Sequence, residues 1–382
     1  MNKNWKSLLI SVLTPSGIMS GISLTVLWGY FARLDRLDVF FDVMNIKSIL
    51  ILVGCAAALS LLTLLTIFFI TSFLIPVVIP QDINNLPAYE KIQTNLLLIL
   101  MISGLFPMLV FYLLYFAFAT SQAVKDNSGW LSIAATGLIT IIASVMMNMK
   151  LLERDLSIKN HKMRWIRRGQ IYLVIPFGIA LLALLQVFPL EIVFRNIDAS
   201  DEIVSFWTVL GIACISYMVF FLTLFPGLVF LRMNAKDRMI KKVSTSFLAS
   251  LMVLLLISTK ITVVPVIFTH SVIKLAGISD FSKHTYIIKT SDYPDEFFSD
   301  VIWRKKIVKK GEYYAIQAVS LFTTNKFSLL CPDAIMKSYR DSWKFNPWDT
   351  AFDNTVRLKL QKQAAYCVPL SASSLKRWDA PL

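Results

Sequence analysis

Long apolar runs separated by short polar or charged stretches set the pattern of the first 270 or so residues. Each run approaches the ~20 residues that an α-helix needs to cross about 30 Å of hydrocarbon. Seven such helices are predicted, at 7–31, 48–74, 95–119, 130–149, 171–194, 203–231 and 244–268. Prolines punctuate them: Pro15 starts the first helix near Ser16, Pro76 and Pro80 close the second, and Gly104 with Pro107 predict a kink in the third. The stretches between are read as loops, including the charge-balanced 32–47, where Arg33, Arg36 and Lys47 face Asp35, Asp38 and Asp42.

From about Gly277 the apolar runs shorten and alternate with polar residues, as in a small globular domain. Asp292 as cap, Pro294, Asp295 and Glu296 in a first turn, and Lys305, Lys306, Lys309 and Lys310 before Gly311 predict a helix over 294–310. Its buried face is Phe297, Phe298, Val301, Ile302 and Val308. Residues 313–323 and 326–330 predict two strands of a hairpin turning at Thr324 and Asn325. A second helix is expected at 333–343, and a half-exposed strand at 356–362, where valine and leucine alternate with charge. The expected fold is an α-helical polytopic membrane bundle of seven transmembrane helices at 1–276, with a small C-terminal α+β soluble domain at 277–382.

Composition agrees with a membrane chain: 56% of residues are apolar and 16% charged, against roughly 45–50% and 25% in soluble domains. The net charge of +14 would suggest nucleic acid, but its source is local. The loop 150–168 carries Lys150, Arg154, Lys159, Lys162, Arg164, Arg167 and Arg168, and the loop 232–242 carries Arg232, Lys236, Arg238, Lys241 and Lys242. Cationic loops are retained on the cytoplasmic side and rest on anionic headgroups. With 150–168 inside, the inner segments hold fifteen Lys or Arg and the outer short loops five. That bias puts the N-terminus in the cytoplasm and the C-terminal domain in the periplasm of a bacterial inner membrane. Lys3 and Lys6 precede an apolar stretch with no small-residue cleavage site, which is read as a retained first span.

Small residues four apart, Ser16 with Ser20 and Gly17 with Gly21, mark a face where helix backbones approach closely. Packing on another helix of the same chain is the simpler use of it. Cys55 and Cys214 lie inside apolar runs. Cys331 and Cys367 have two readings of equal weight: unpaired core cysteines, or a disulfide worth roughly 3–4 kcal/mol in an oxidising compartment.

Candidate chemistry is sparse. His161, His270 and His284 lack metal-ligand spacing, Asp349 and Asp353 stand without a second acidic cluster, and no phosphate loop or nucleophile motif is present. Neither a metal nor a cofactor is expected. Within the apolar runs only Glu191 and Lys260 are charged, which disfavours an ion-coupled carrier. The most distinctive soluble feature is WRKKIVKK, with Trp303, Arg304, Lys305, Lys306, Lys309 and Lys310. It is either the solvated end of an amphipathic helix or a cationic surface for anionic lipid or an acidic protein. The pattern leads to a non-enzymatic multi-pass protein that contacts membrane lipids and binds a protein partner, not nucleic acid, through its periplasmic domain. The specific form is an immunity-type protein against a membrane-active toxin; the alternative is a passive pore or scaffold subunit of a transport or membrane-assembly complex.

Overall fold

A computed structural model describes residues 15–78, 95, 98–99, 134–135, 137–147, 174–185, 206–233, 238–308, 312–344 and 350–378. The expected third span, the basic loop 150–168 and the turn 195–202 lie outside these residues, almost or wholly. The chain is mostly helical, with a small antiparallel sheet near its C-terminal end. It divides into two compact units, Met1–Thr63 with Asn196–Asp198 and Ile261–Leu382, and Leu64–Arg195 with Ala199–Lys260. The sheet therefore belongs with the N-terminal helices, and the division does not fall at residue 276.

In the first unit, helix α1 (Pro15–Leu34) buries Ser23, Val26, Leu27, Tyr30, Phe31 and Leu34, an i, i+3, i+4 stripe, and exposes Trp28. It ends with Asp35 in the left-handed region at φ 57°, where Arg36 N–H bonds the Phe31 carbonyl and Asp35 N–H that of Ala32. That sharp stop turns the chain into α2 (Leu37–Met44), a helix where a loop was expected, because Val39 and Val43, four apart, share one buried face. Helix α3 (Lys47–Val78) follows and runs past Pro76, which falls in its last described turn. The close approach of α1 and α3 is not at Gly21, which is open, but at Gly54, where a Cβ would lie 2.8 Å from Ser23 Oγ. Ser23 Oγ in turn bonds the Leu50 carbonyl at 2.7 Å. Of the predicted packing face, Ser20 and Gly21 are exposed.

The second unit holds the end of α3, then α4 (Gly137–Met147), α5 (Ile175–Leu185), α6 (Phe206–Arg232) and α7 (Met239–Lys260). Small residues and hydroxyls join these helices at close approaches. Gly227 of α6 lies against Ser72 and Ile75, Ser72 Oγ donates to the Thr223 carbonyl, and Ser246 Oγ donates to the Pro226 carbonyl at 2.9 Å.

Among the described residues two helices, Lys47–Ile75 and Met239–Thr259, are long and apolar enough to cross a membrane, where seven were expected. The expected run 244–268 is in fact two helices: α7 stops at Lys260, and α8 (Val263–Leu275) starts afresh in the first unit. Pro265 explains the break, since it has no N–H for the Ile261 carbonyl and its ring crowds that oxygen. Gly277, at φ 66°, ends α8.

The sheet has the order β5-β4-β3-β1-β6, built from β1 (Lys283–Lys289), β3 (Tyr313–Thr323), β4 (Phe327–Pro332), β5 (Val368–Ser371) and β6 (Lys376–Arg377). β3 and β4 form the predicted hairpin. β2 (Lys306–Val308) pairs with β3 at residues 313–315, beyond the stretch that β4 covers. Residues 294–310 thus do not form one helix. A 3-10 turn, Asp295–Phe297, and a single helical turn, α9 (Asp300–Trp303), are ended by Arg304 at φ 49°, and β-branched Ile307 and Val308 fill the open edge of β3. Val301, expected inside, is 90% exposed.

One face of the sheet packs Tyr314, Ile316 and Leu330 against Phe298 and Trp303. The other packs Val319, Leu321, Phe322 and Leu329 against α1, α8, α10 (Ile335–Asp341) and α11 (Thr350–Ala364). Helix α11 replaces the strand expected at 356–362. The alternation Val356, Leu358, Leu360 is overridden by the i, i+4 series Phe352, Val356, Leu360 and Ala364, whose last two members are fully buried. The two registers differ in a measurable way. Leu360→Ala is expected to cost about 2–5 kcal/mol and exposed Leu358→Ala no more than about 0.5. Denaturation of the two variants should separate them, whereas a strand with both leucines on one face would give similar losses.

Candidate binding groove

α10 has two faces. Ile335, Ser338 and Tyr339 are buried, while Lys337 and Arg340 are exposed. Opposite its exposed face the chain enters β1 through Ser279, Asp280 and Phe281. Phe281 sits at φ 51°, a conformation that costs a bulky residue about 1–3 kcal/mol and persists only where its surroundings enforce it. They do. Ser279 Oγ accepts from Phe281 N–H at 3.1 Å and donates to the Ser320 carbonyl at 2.6 Å, while Asp280 Oδ1 accepts from Ser282 N–H at 3.0 Å. The Phe281 ring stacks on Tyr339, with centroids 5.1 Å apart and planes at 21°, and lies 4.2 Å from the His270 ring.

Between these segments runs an open groove of about 520 Å³, lined by Phe281, Ser282, Lys283, Asp333, Met336, Lys337, Arg340 and Asp341. Its volume falls in the range of about 300–1,000 Å³ common to ligand sites. Asp333 Oδ2 is bridged by Lys283 at 2.8 Å and Arg304 at 3.2 Å. Lys337 and Arg340 form no ion pair among the described residues.

Behind α10 the groove rests on a half-buried polar and aromatic layer. His270 Nδ1 is 3.1 Å from the Tyr339 hydroxyl, and Trp343 meets His270 edge-on at 4.6 Å. Burial, with Lys274 adding to it, lowers the His270 pKa to about 4, and burial pushes the Tyr339 phenol up. Arg33, at the end of α1, donates to the carbonyl and hydroxyl of Ser342. Burial pulls its guanidinium below the ordinary value, against the opposing pull of Tyr339 and Asp353. Arg36 donates to the Cys367 carbonyl and holds the Asp38 carboxyl low by a hydrogen bond. Tyr30 adds a bond from its hydroxyl to the Leu321 carbonyl at 2.7 Å. The two arginines expected in a charge-balanced loop thus clasp the sheet.

The other expected residues fall as follows. Cys331 and Cys367 are joined in a disulfide between the end of β4 and the residue before β5. Trp303 is not an exposed aromatic edge; it is buried on Phe298. Arg304 is bound to Asp333 and Lys305 to Asp300 at 3.0 Å, so the cationic patch is partly neutralised, with Lys306 exposed on β2. Lys309, Lys310, Lys236 and the cations of 150–168 lie outside the described residues. Arg232, Arg238 and Lys241 are exposed near the facing ends of α6 and α7, and Lys242 Nζ lies 6.0 Å over the Phe230 ring. The groove itself was not foreseen. Its one signal was the predicted helix at 333–343, whose outward face carries Lys337 and Arg340 three residues apart.

No protein-family model, curated protein or solved structure matches this chain.

His270 makes the layer sensitive to pH. With the folded-state pKa at about 4 and the ordinary value at 6.5, the unfolded chain takes up the proton first. The stability is therefore intact above pH 6.5 and declines as pH falls toward 4. Melting followed from pH 7 to 4 should show a steeper loss in the wild type than in His270→Phe; equal slopes would contradict this account.

Proposed function

We propose that this chain is a non-enzymatic, multi-pass protein of a bacterial inner membrane whose disulfide-closed C-terminal part faces the periplasm and binds a protein partner. The observation that carries this reading is the open, partly charged groove on a unit clasped to the end of α1. Two helices support the membrane reading. Lys47–Ile75 and Met239–Thr259 have bilayer-spanning length, with Ile51, Leu59 and Leu62 on the first, and Leu248, Leu255 and Leu256 on the second, each more than half exposed. Lys241 and Lys242 in the first turn of α7 oppose the helix dipole by about 0.3–1 kcal/mol each, a placement that an anionic headgroup layer would favour.

The orientation draws support from packing within the first unit. Residues 32–47, counted as an outer loop by the charge bias, are bonded to the C-terminal sheet unit through Arg33 and Arg36, as two segments on one side of a membrane would be. The disulfide suits an oxidising compartment. The specific role that fits a receptor-sized unit in a chain with membrane-spanning helices is immunity to a membrane-active toxin.

Two measurements test the reading. With Cys55 and Cys214 replaced by serine, Ser373→Cys should react with a membrane-impermeant maleimide in intact cells and Ile240→Cys should not; the reverse pattern overturns the orientation. Cells lacking the protein should become more sensitive to a rival strain's toxin, and unchanged sensitivity overturns the immunity role.

A further inference from the structure

We propose that the groove between the start of β1 and α10 takes an acidic segment of the protein partner. One apolar side chain of that segment would rest on Phe281 and Met336, and two carboxylates would meet Lys337 and Arg340. This inference rests on the reading of the unit as a protein receptor.

The charge balance points to an acidic occupant. Lys283, Arg304, Lys337 and Arg340 stand at the groove against two acids, Asp333 and Asp341. Asp333 is engaged by Lys283 and Arg304, which leaves Lys337 and Arg340 as exposed cations without an ion pair among the described residues. Three apart on one helix, their Cβ atoms are about 5–6 Å from each other, a spacing that suits two separate carboxylates better than one compact phosphate. The Arg340 fork can bind a carboxylate through two parallel N–H donors.

The apolar part of the groove adds the second requirement. Phe281 is held with its ring stacked on Tyr339, and Met336 offers an adaptable thioether side chain beside it. A free anion would leave this part of the groove empty, and a flat lipid surface would not enter a concavity between β1 and a helix. A peptide with an apolar residue flanked by acids satisfies both halves.

The test uses the full chain in nanodiscs of uncharged lipid and fluorescently labelled, end-blocked hexapeptides, Glu-Glu-Leu-Phe-Glu-Glu and its Gln-Gln-Leu-Phe-Gln-Gln counterpart. Charge-assisted hydrogen bonds exceed neutral ones by enough that the Glu peptide should bind about tenfold more tightly or better. Added salt should weaken it, and Lys337→Glu with Arg340→Glu should abolish the preference at unchanged melting temperature. If that pair fails to fold, Lys337→Gln with Arg340→Gln should remove the preference instead. Equal binding of the two peptides, a preference that survives the substitutions, or binding of anionic vesicles but of neither peptide overturns the inference.

A photoreactive residue at position 282, which lines the groove without contacting the carboxylates, or at position 301 separates this result from the wider reading. A partner cross-linked from position 301 but not from position 282 sinks the groove and leaves the receptor standing. Cross-links from neither position, with no peptide bound, sink both.

Discussion

The sheet of the first unit has an apolar face that the helices of its own segment cover only in part, and burying the remainder on α1 is the contact on which the rest depends. Phe31 lies 4.9 Å from Phe322 across this interface, and Leu27, Phe31 and Leu34 are essentially without exposure. Dispersion and hydrophobic burial supply the attraction but no register. Register comes from the polar bonds at the rim: the Tyr30 hydroxyl on Leu321, Arg33 on Ser342 and Arg36 on Cys367. Arg33 is the most demanding of these, because a largely buried guanidinium whose Nε has no partner tolerates little displacement.

The groove takes its shape from the same interface at one remove. α10 is gripped on its inner side by the rings of His270, Phe281 and Trp343 and by the Arg33 bond to Ser342, so its outer side presents Lys337 and Arg340 at fixed positions. A binding surface on a rigid helix loses little conformational entropy when a ligand arrives. The left-handed Phe281 belongs to this scheme, since its backbone cost is sustained by two hydroxyl bonds and a stacked ring rather than by local preference.

What could be read from the chain followed local chemistry. The β3–β4 hairpin was legible because two short apolar runs flank a polar turn at Thr324 and Asn325, and the helix before residue 343 because Pro332 stands ahead of it. The misreadings share one cause, that contacts distant in sequence outweighed local pattern. Val356 to Leu360 alternates like a strand yet is helical because Leu360 and Ala364 meet the core, and Lys306–Val308 within WRKKIVKK forms a strand because β3 has an open edge to fill. Pro265 is a local signal hidden in an apolar run that otherwise reads as continuous. The clasp left almost no trace: Arg33 and Arg36 look like loop cations until a partner more than 300 positions away is known.

That distance has a consequence for how the protein is made. The bonds from Tyr30, Arg33 and Arg36 span 291, 309 and 331 positions. During synthesis at about 5–20 residues per second, α1 therefore waits tens of seconds before the sheet that covers it exists. For that interval its apolar stripe must be sheltered from water, and a helix made early is among the last to reach its final surroundings.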